Sequence, residues 1–145
     1  MSDAASSAVV REVDHVGIAV DDLDAEIERY RRAFGLDPVH RETLASQGVE
    51  EVLFAVGASY VQLLRPLGED TPVGRFMASR GAGMHHVAYR VDDVAAALDR
   101  LRAEGFRLVD ETPRPGSRGT TIAFVHPKTM GGVLVELVQE GRQPA

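Results

Sequence analysis

The stretch VDHVGIAVDDL at residues 13–23 occurs a second time, in altered form, as MHHVAYRVDDV at residues 84–94. His15 aligns with His86, 71 residues later. An apolar pattern with the spacing of one helical face follows each copy. An internal repeat of this kind indicates that one structural unit occurs twice in the chain. The chain therefore contains two similar halves, each with a histidine at the same point near its start.

A second pair of matching segments lies near the end of each half. SYVQLL at residues 59–64 matches VLVELV at residues 133–138, which aligns Gln62 with Glu136. Period-two alternation and turn residues predict the order β-α-β-β-β in both halves. The predicted strands are 12–20, 38–44, 49–56 and 59–65, then 84–91, 107–111, 120–126 and 132–139; the predicted helices are 23–34, 73–79 and 93–104.

These elements predict an α+β fold of two tandem βαβββ modules that form a cleft. We expect a disordered tail at 1–11, a first module at 12–66, a linker at 67–82 and a second module at 83–140, together one domain. An apolar fraction of 44% with 26% charged residues suits such a globular domain. No apolar run is long enough to span a membrane, and no signal peptide is evident, so a cytoplasmic location is expected.

Composition also restricts the ligands. The net charge of −6 argues against nucleic-acid binding. The chain has no cysteine, so any metal must be bound by nitrogen and oxygen atoms.

Side-chain alternation along the predicted strands places four polar residues on equivalent strand faces. They lie on the strand faces that point away from the helices, where small neighbours such as Gly17 leave space. If the halves pair about a pseudo-twofold axis, the four can meet; they are His15, Gln62, His86 and Glu136. Two imidazoles, an amide oxygen and a carboxylate suit a divalent ion and leave two octahedral positions open.

A single histidine on a strand is more often a half-buried polar residue than a metal ligand. The repeat strengthens the metal interpretation because chance rarely places all four residues at equivalent points of two modules. We interpret His85, which has the opposite alternation to His86, as structural, and His40 as a surface residue.

The same residues resemble the vicinal oxygen chelate superfamily (glyoxalase, bleomycin-resistance and dioxygenase proteins), and within it the methylmalonyl-CoA epimerases. The resemblance covers about residues 12–139. It rests on DHVGIAV, HRE…QGVEE, VQLLRPLGEDTPVG, GMHHVAYRVDD and FVHPKTMGGVLVELVQ. It implies that the same four residues bind the metal, with Co²⁺ or Mn²⁺ first and Ni²⁺, Mg²⁺ or Zn²⁺ as further options.

The resemblance also implies an activity: epimerisation of (2R)- and (2S)-methylmalonyl-CoA through a metal-stabilised enolate. Glu51 is the implied acid–base residue, with Glu136 as its partner, and Glu50 is the rival if the register is off by one. Removing a proton from one face of C2 and returning one to the other requires two such groups. An acyl-CoA substrate, a place in propionate metabolism and a homodimer are further implications.

The CoA phosphates need basic partners. Arg114, Arg118 and Lys128 lie in or near the loop at 112–119, which we expect to be exposed, and His126 lies near the expected rim of the cleft. For each of these residues, a solvated surface position is the competing interpretation.

Three alternative functions remain. A glyoxalase-I-like isomerase would be expected to carry a carboxylate where Gln62 stands. An extradiol-type dioxygenase would leave Gln62 without a role. A non-catalytic ligand-binding member of the same fold would not need a base at position 51.

Overall fold

The structure, a computed structural model, describes residues 8–141. Its strands are β1 Val10–Ala19, β2 His40–Leu44, β3 Val49–Val56, β4 Ser59–Pro66, β5 Gly83–Val91, β6 Arg114–Pro115, β7 Thr121–Val125 and β8 Val135–Gln139. Its α-helices are α1 Leu23–Phe34, α2 Pro72–Arg80 and α3 Val94–Ala103. Three short 3-10 helices occupy Ala45–Gln47, Ser117–Gly119 and Pro127–Thr129. Most of the predicted tail lies outside the described residues, and β1 begins within the rest of it.

The described residues form two compact units. The first-half unit contains residues 15–86, and the second-half unit contains residues 8–14 and 87–141. The strand order is β2-β3-β4-β1 in the first half and β6-β7-β8-β5 in the second. In both halves the first strand pairs in parallel with the last, and the other neighbours are antiparallel. The predicted α+β fold of two βαβββ repeats is therefore confirmed.

Helix α1 begins and ends where the sequence predicts. The Asp22 carboxylate accepts a hydrogen bond of 3.0 Å from the backbone N–H of Ala25. Gly35, in the left-handed conformation at φ 67°, ends the helix. Leu23 and Ile27 of α1 pack in a buried cluster with Val20, which follows β1, and with three residues of β3 and β4: Val52, Phe54 and Leu63. This cluster is the helix side of the first-half sheet.

The other face of the first-half sheet is partly covered by α2. Thr71 caps this helix by accepting from the N–H of Gly74 at 3.0 Å. Val73 of α2 packs on Ala19, Val49 and Leu64. The remainder of this face carries the polar residues described below.

The second-half unit repeats this packing with one difference. Helix α3 covers Ala123, Val125 and Leu137. The predicted strand at 107–111 is wrong: a single bridge joins Leu108 to Val125, and the short β6 lies further along the chain. The Asp110 carboxylate accepts from the N–H of Phe124 at 2.8 Å, so a side chain replaces a strand pairing there.

No helix among residues 8–141 is both long enough and apolar enough to cross a membrane.

Candidate metal and acid–base site

His15 of β1 and His86 of β5 meet inside the first-half unit. Their side chains are buried, and their Nε2 atoms are 3.0 Å apart. Two imidazole nitrogens that bind one ion in neighbouring octahedral positions, each at about 2.1 Å, lie roughly 3.0 Å apart. The separation therefore fits a pair of ligands on a shared divalent ion.

The second ring nitrogen of His86 also has a partner. Its Nδ1 lies 2.9 Å from Nδ1 of His85, whose ring packs edge-on against Phe76 at 4.9 Å between centroids. A metal-binding imidazole commonly donates its other N–H to a neighbour, which fixes the tautomer and the ring orientation. A proton on Nδ1 of His86 leaves the lone pair of Nε2 available to a metal.

Gly17 makes room for the His86 ring. A Cβ at position 17 would lie 2.2 Å from Cε1 and 2.5 Å from Nδ1 of His86. The sequence predicts open space above this face of β1, and the imidazole from β5 fills it. Any side chain at position 17 must therefore displace the ring.

We expect Gly17→Ala to weaken metal binding by about 10- to 100-fold, as changes around a metal ligand typically do. The displaced ring no longer aligns its Nε2 with that of His15. Isothermal titration with Mn²⁺ measures the effect. Gly68→Ala is the matched control because a Cβ there meets nothing within 4 Å. Equal affinity in the two variants would contradict this role for Gly17.

Gln62 of β4 lies on the same face, and its partner across the parallel β1–β4 pair is Gly17. The amide is buried, and its Nε2 donates to Oε1 of Glu51 at 2.6 Å. The Oε1 of Gln62 is buried and has no hydrogen-bond partner among the described residues. A buried carbonyl oxygen without a partner is costly, and a hard cation would satisfy it.

Glu51 and Glu50 point to opposite faces of β3, as the alternation predicts. Glu51 is fully buried, and its Oε2 accepts no hydrogen bond among the described residues. Glu50 instead forms salt bridges with Arg41 at 2.8 Å and Arg65 at 3.1 Å. The hydrogen bond from Arg41 is the main cause that lowers the pKa of the Glu50 carboxyl, which therefore stays ionised at neutral pH. Of the two, only Glu51 has an oxygen free to take a proton.

Glu136 occupies the equivalent place in the second-half unit. Gln62 pairs with Leu53, and Glu136 pairs with Phe124 at the corresponding point. Across the parallel pair β5–β8, Ala88 is the partner of Glu136, just as Gly17 is the partner of Gln62. The Glu136 side chain is buried. The predicted equivalence of Gln62 and Glu136 is therefore confirmed by strand register.

Three of the predicted CoA-binding residues lie in the second-half unit near the surface. Arg114 lies 3.2 Å from the Asp110 carboxylate, and its guanidinium stacks over the Phe124 ring at 5.6 Å. Nδ1 of His126 accepts from the backbone N–H of Lys128 at 3.0 Å. The Lys128 side chain is exposed.

Arg118 has a different environment. It adopts a left-handed backbone conformation with φ 56°, and its guanidinium contacts the fully buried Asp14 at 3.1 Å. Arg90 binds the other Asp14 oxygen through two nitrogens, at 3.0 and 2.8 Å. The repeat does not reveal this buried ion cluster, because Asp14 aligns with His85 and not with a second carboxylate.

The chain matches a model of the Glyoxalase/Bleomycin resistance protein/Dioxygenase superfamily over residues 14–124. It is 36% identical over 133 residues to an ethylmalonyl-CoA/methylmalonyl-CoA epimerase of Cereibacter sphaeroides, covering 90% of this chain and 99% of that protein. Methylmalonyl-CoA epimerase from Mycobacterium tuberculosis is 45% identical, with a TM-score of 0.90 over 94% of this chain and 92% of that one.

A variant of the Streptomyces coelicolor methylmalonyl-CoA epimerase, solved in complex with 2-nitronate-propionyl-CoA, is also similar. It is 42% identical, with a TM-score of 0.89 over 92% of this chain and 99% of that one. The chain therefore belongs to the Glyoxalase/Bleomycin resistance protein/Dioxygenase superfamily and, within it, to the methylmalonyl-CoA epimerase family.

Proposed function

We propose that the protein interconverts (2R)- and (2S)-methylmalonyl-CoA by removing the C2 proton and returning a proton to the opposite face. The observation that carries this proposal is the buried pair of Glu51 and Gln62. The amide donates its N–H to one carboxylate oxygen at 2.6 Å, while the other carboxylate oxygen accepts no hydrogen bond among the described residues. A protein that only sequesters a ligand needs no buried base of this kind.

We propose that His15, Gln62, His86 and Glu136 bind the divalent ion. The 3.0 Å separation of the imidazole nitrogens and the unsatisfied Gln62 carbonyl oxygen support the first three. The strand register that makes Glu136 equivalent to Gln62 supports the fourth. A divalent ion bound there would act as a Lewis acid that stabilises negative charge developing on the thioester oxygen.

The ion's identity rests on general ligand chemistry. The proposed ligands are three uncharged groups (two imidazoles and an amide) and one carboxylate. A 2+ ion together with these ligands therefore keeps a net positive charge. Nitrogen and oxygen ligands suit Co²⁺ or Mn²⁺, with Ni²⁺, Mg²⁺ or Zn²⁺ as further options.

In the proposed reaction, Glu51 holds the proton on one face of C2. Its Oε2 is the atom that takes the proton, because Oε1 is already bound to the Gln62 amide. The Gln62 N–H also fixes the orientation of the carboxylate, so the reacting oxygen is positioned before substrate arrives. We propose Glu136 as the group that holds the proton on the opposite face, in addition to its role as a ligand.

Contacts to the CoA portion are proposed for Arg114, Arg118, His126 and Lys128. Lys128 suits this role best because the residue is exposed and an ammonium group binds phosphate oxygens. Arg118 suits it least because its guanidinium already binds the buried Asp14.

The assembly and the location are proposed from the resemblance and the composition. We propose a homodimer in the cytoplasm that acts in propionate metabolism, with no nucleic-acid partner. The net charge of −6 is the feature that supports the last point.

A comparison of two substrates tests the proposed function against its nearest rival. We expect the metal-loaded protein to convert (2S)-methylmalonyl-CoA to a mixture of both epimers. Chiral separation of the product measures this conversion. We expect no isomerisation of the hemithioacetal of methylglyoxal and glutathione. Turnover of the hemithioacetal without epimerisation of methylmalonyl-CoA would replace this proposal with the glyoxalase alternative.

A further inference from the structure

His40 lies between Glu51 and the surface of the first-half unit. Its Nε2 is 3.5 Å from Oε2 of Glu51 and 2.8 Å from Oε1 of Glu42. One ring nitrogen of His40 and one carboxylate oxygen from each of Glu42 and Glu51 all lie within 4.8 Å of one another. The exposed fraction of the side chain rises along the series, from 0% for Glu51 to 29% for His40 and 36% for Glu42. The expected surface position of His40 is thus only partly right, because the ring also reaches the buried carboxylate.

Strand register produces this contact. Glu42 and Glu51 are direct partners across the antiparallel pair β2–β3, and His40 is two residues before Glu42 on the same face. Side chains at such diagonal positions are within reach of one another. The three groups are therefore fixed by the sheet.

Repeated turnover in one direction requires Glu51 to release the proton that it takes from C2. In one direction of reaction, Glu51 gains a proton from C2 while a different group gives one to C2. Before the next substrate molecule can react in the same direction, Glu51 must lose that proton. The Glu51 side chain is 0% exposed, so its carboxylate is not surrounded by bulk water, and a neighbouring group that accepts the proton shortens its way to solvent.

We propose that His40 and Glu42 form the path by which the proton leaves Glu51 after each turnover. This inference rests on the proposed role of Glu51. Nε2 of His40 accepts the proton from Oε2 of Glu51 and passes it to Oε1 of Glu42, and water then removes the proton from Glu42. The net change is one proton moved from Glu51 to solvent, with His40 restored.

His40 is thus a positioning residue that acts through Glu51, and it affects one phase of the reaction only. We expect His40→Gln to lower kcat by about 10-fold or more, because resetting Glu51 becomes slow. With enzyme in excess over (2S)-methylmalonyl-CoA, the rate of the first C2 proton removal should stay within about 3-fold of wild type. We expect Glu42→Gln to lower kcat in the same selective way.

Arg41→Gln is the matched control, since Arg41 lies between His40 and Glu42 in sequence and forms surface ion pairs with Glu50 and Asp24. Its kcat should match wild type. An unchanged kcat in His40→Gln would overturn the relay. So would an equal fall in the single-turnover rate, which would mean that His40 only supports the shape of the site. Failure of the wild-type protein to epimerise would instead reject the proposed function.

Metal titration distinguishes the relay from a metal site formed by His40, Glu42 and Glu51. The same three side chains could hold an ion, so titration of His40→Gln with Mn²⁺ should give the wild-type number of bound ions per chain. Loss of one bound ion in this variant would overturn the relay in favour of a metal site at His40.

Discussion

Glu51→Gln is expected to abolish most of the epimerase activity while leaving the fold and the metal content unchanged. The substituted amide keeps the size of the side chain but cannot take the C2 proton. General acid–base catalysis by one positioned group contributes about 10²- to 10⁴-fold, so we expect a fall of that size in kcat. Epimer formation from (2S)-methylmalonyl-CoA measures it, with bound metal determined by elemental analysis of the same sample.

Glu50→Gln is the matched control for this variant. It makes the same chemical change one residue away, at a carboxylate that forms surface ion pairs with Arg41 and Arg65. Such pairs contribute about 0–1 kcal/mol to stability, so the control should fold and turn over normally. Full activity in Glu51→Gln would remove Glu51 from the mechanism. A similar loss of kcat in both variants would mean that activity depends on the negative charge of this strand and not on the buried base.

His86→Ala is expected to remove the metal and, with it, activity by about 10³-fold or more. The substitution takes away one of the two imidazole nitrogens that lie 3.0 Å apart. It also leaves empty the space above Gly17 that the ring fills. Metal content after dialysis and the rate of epimerisation are the two measurements.

Wild-type protein treated with EDTA serves as the reference for this variant. Both should be inactive, but only the wild-type protein should recover when Mn²⁺ or Co²⁺ is added back at the same concentration. A His86→Ala protein that binds metal with wild-type affinity would show that His86 is not a ligand.

Side-chain alternation combined with the repeat predicts much of the site. The strand assignments place His15, Gln62 and His86 on one kind of face, and the structure buries all three. They also separate Glu51 from Glu50, which the salt bridges of Glu50 confirm. Alternation succeeds here because a one-residue shift in a strand turns every side chain to the other face.

Contacts that depend on register between strands could not be predicted in this way. The approach of His40 to Glu51 depends on the pairing of β2 with β3, which is set by the 3-10 helix Ala45–Gln47 and by Gly48 in the left-handed conformation. Residue periodicity does not specify such a turn. The filling of the space above Gly17 by His86 joins residues 69 positions apart, so only the structure reveals it.

The missing strand at 107–111 has a similar explanation. Leu108 and Val109 are apolar residues that are common in strands, but the Asp110 carboxylate accepts a hydrogen bond from the backbone N–H of Phe124. A carboxylate that competes for a backbone donor ends the pairing, whatever the propensity of its neighbours.

The exchange of the C2 proton of methylmalonyl-CoA with solvent deuterium tests the central claim most directly. Proton NMR of the substrate in D₂O, recorded before and after EDTA, follows the reaction at the carbon concerned. We expect the C2 signal to disappear with the metal-loaded protein, to persist after EDTA, and to disappear again when Mn²⁺ or Co²⁺ is restored. Exchange that continues unchanged in EDTA, or no exchange with metal bound, would contradict the account.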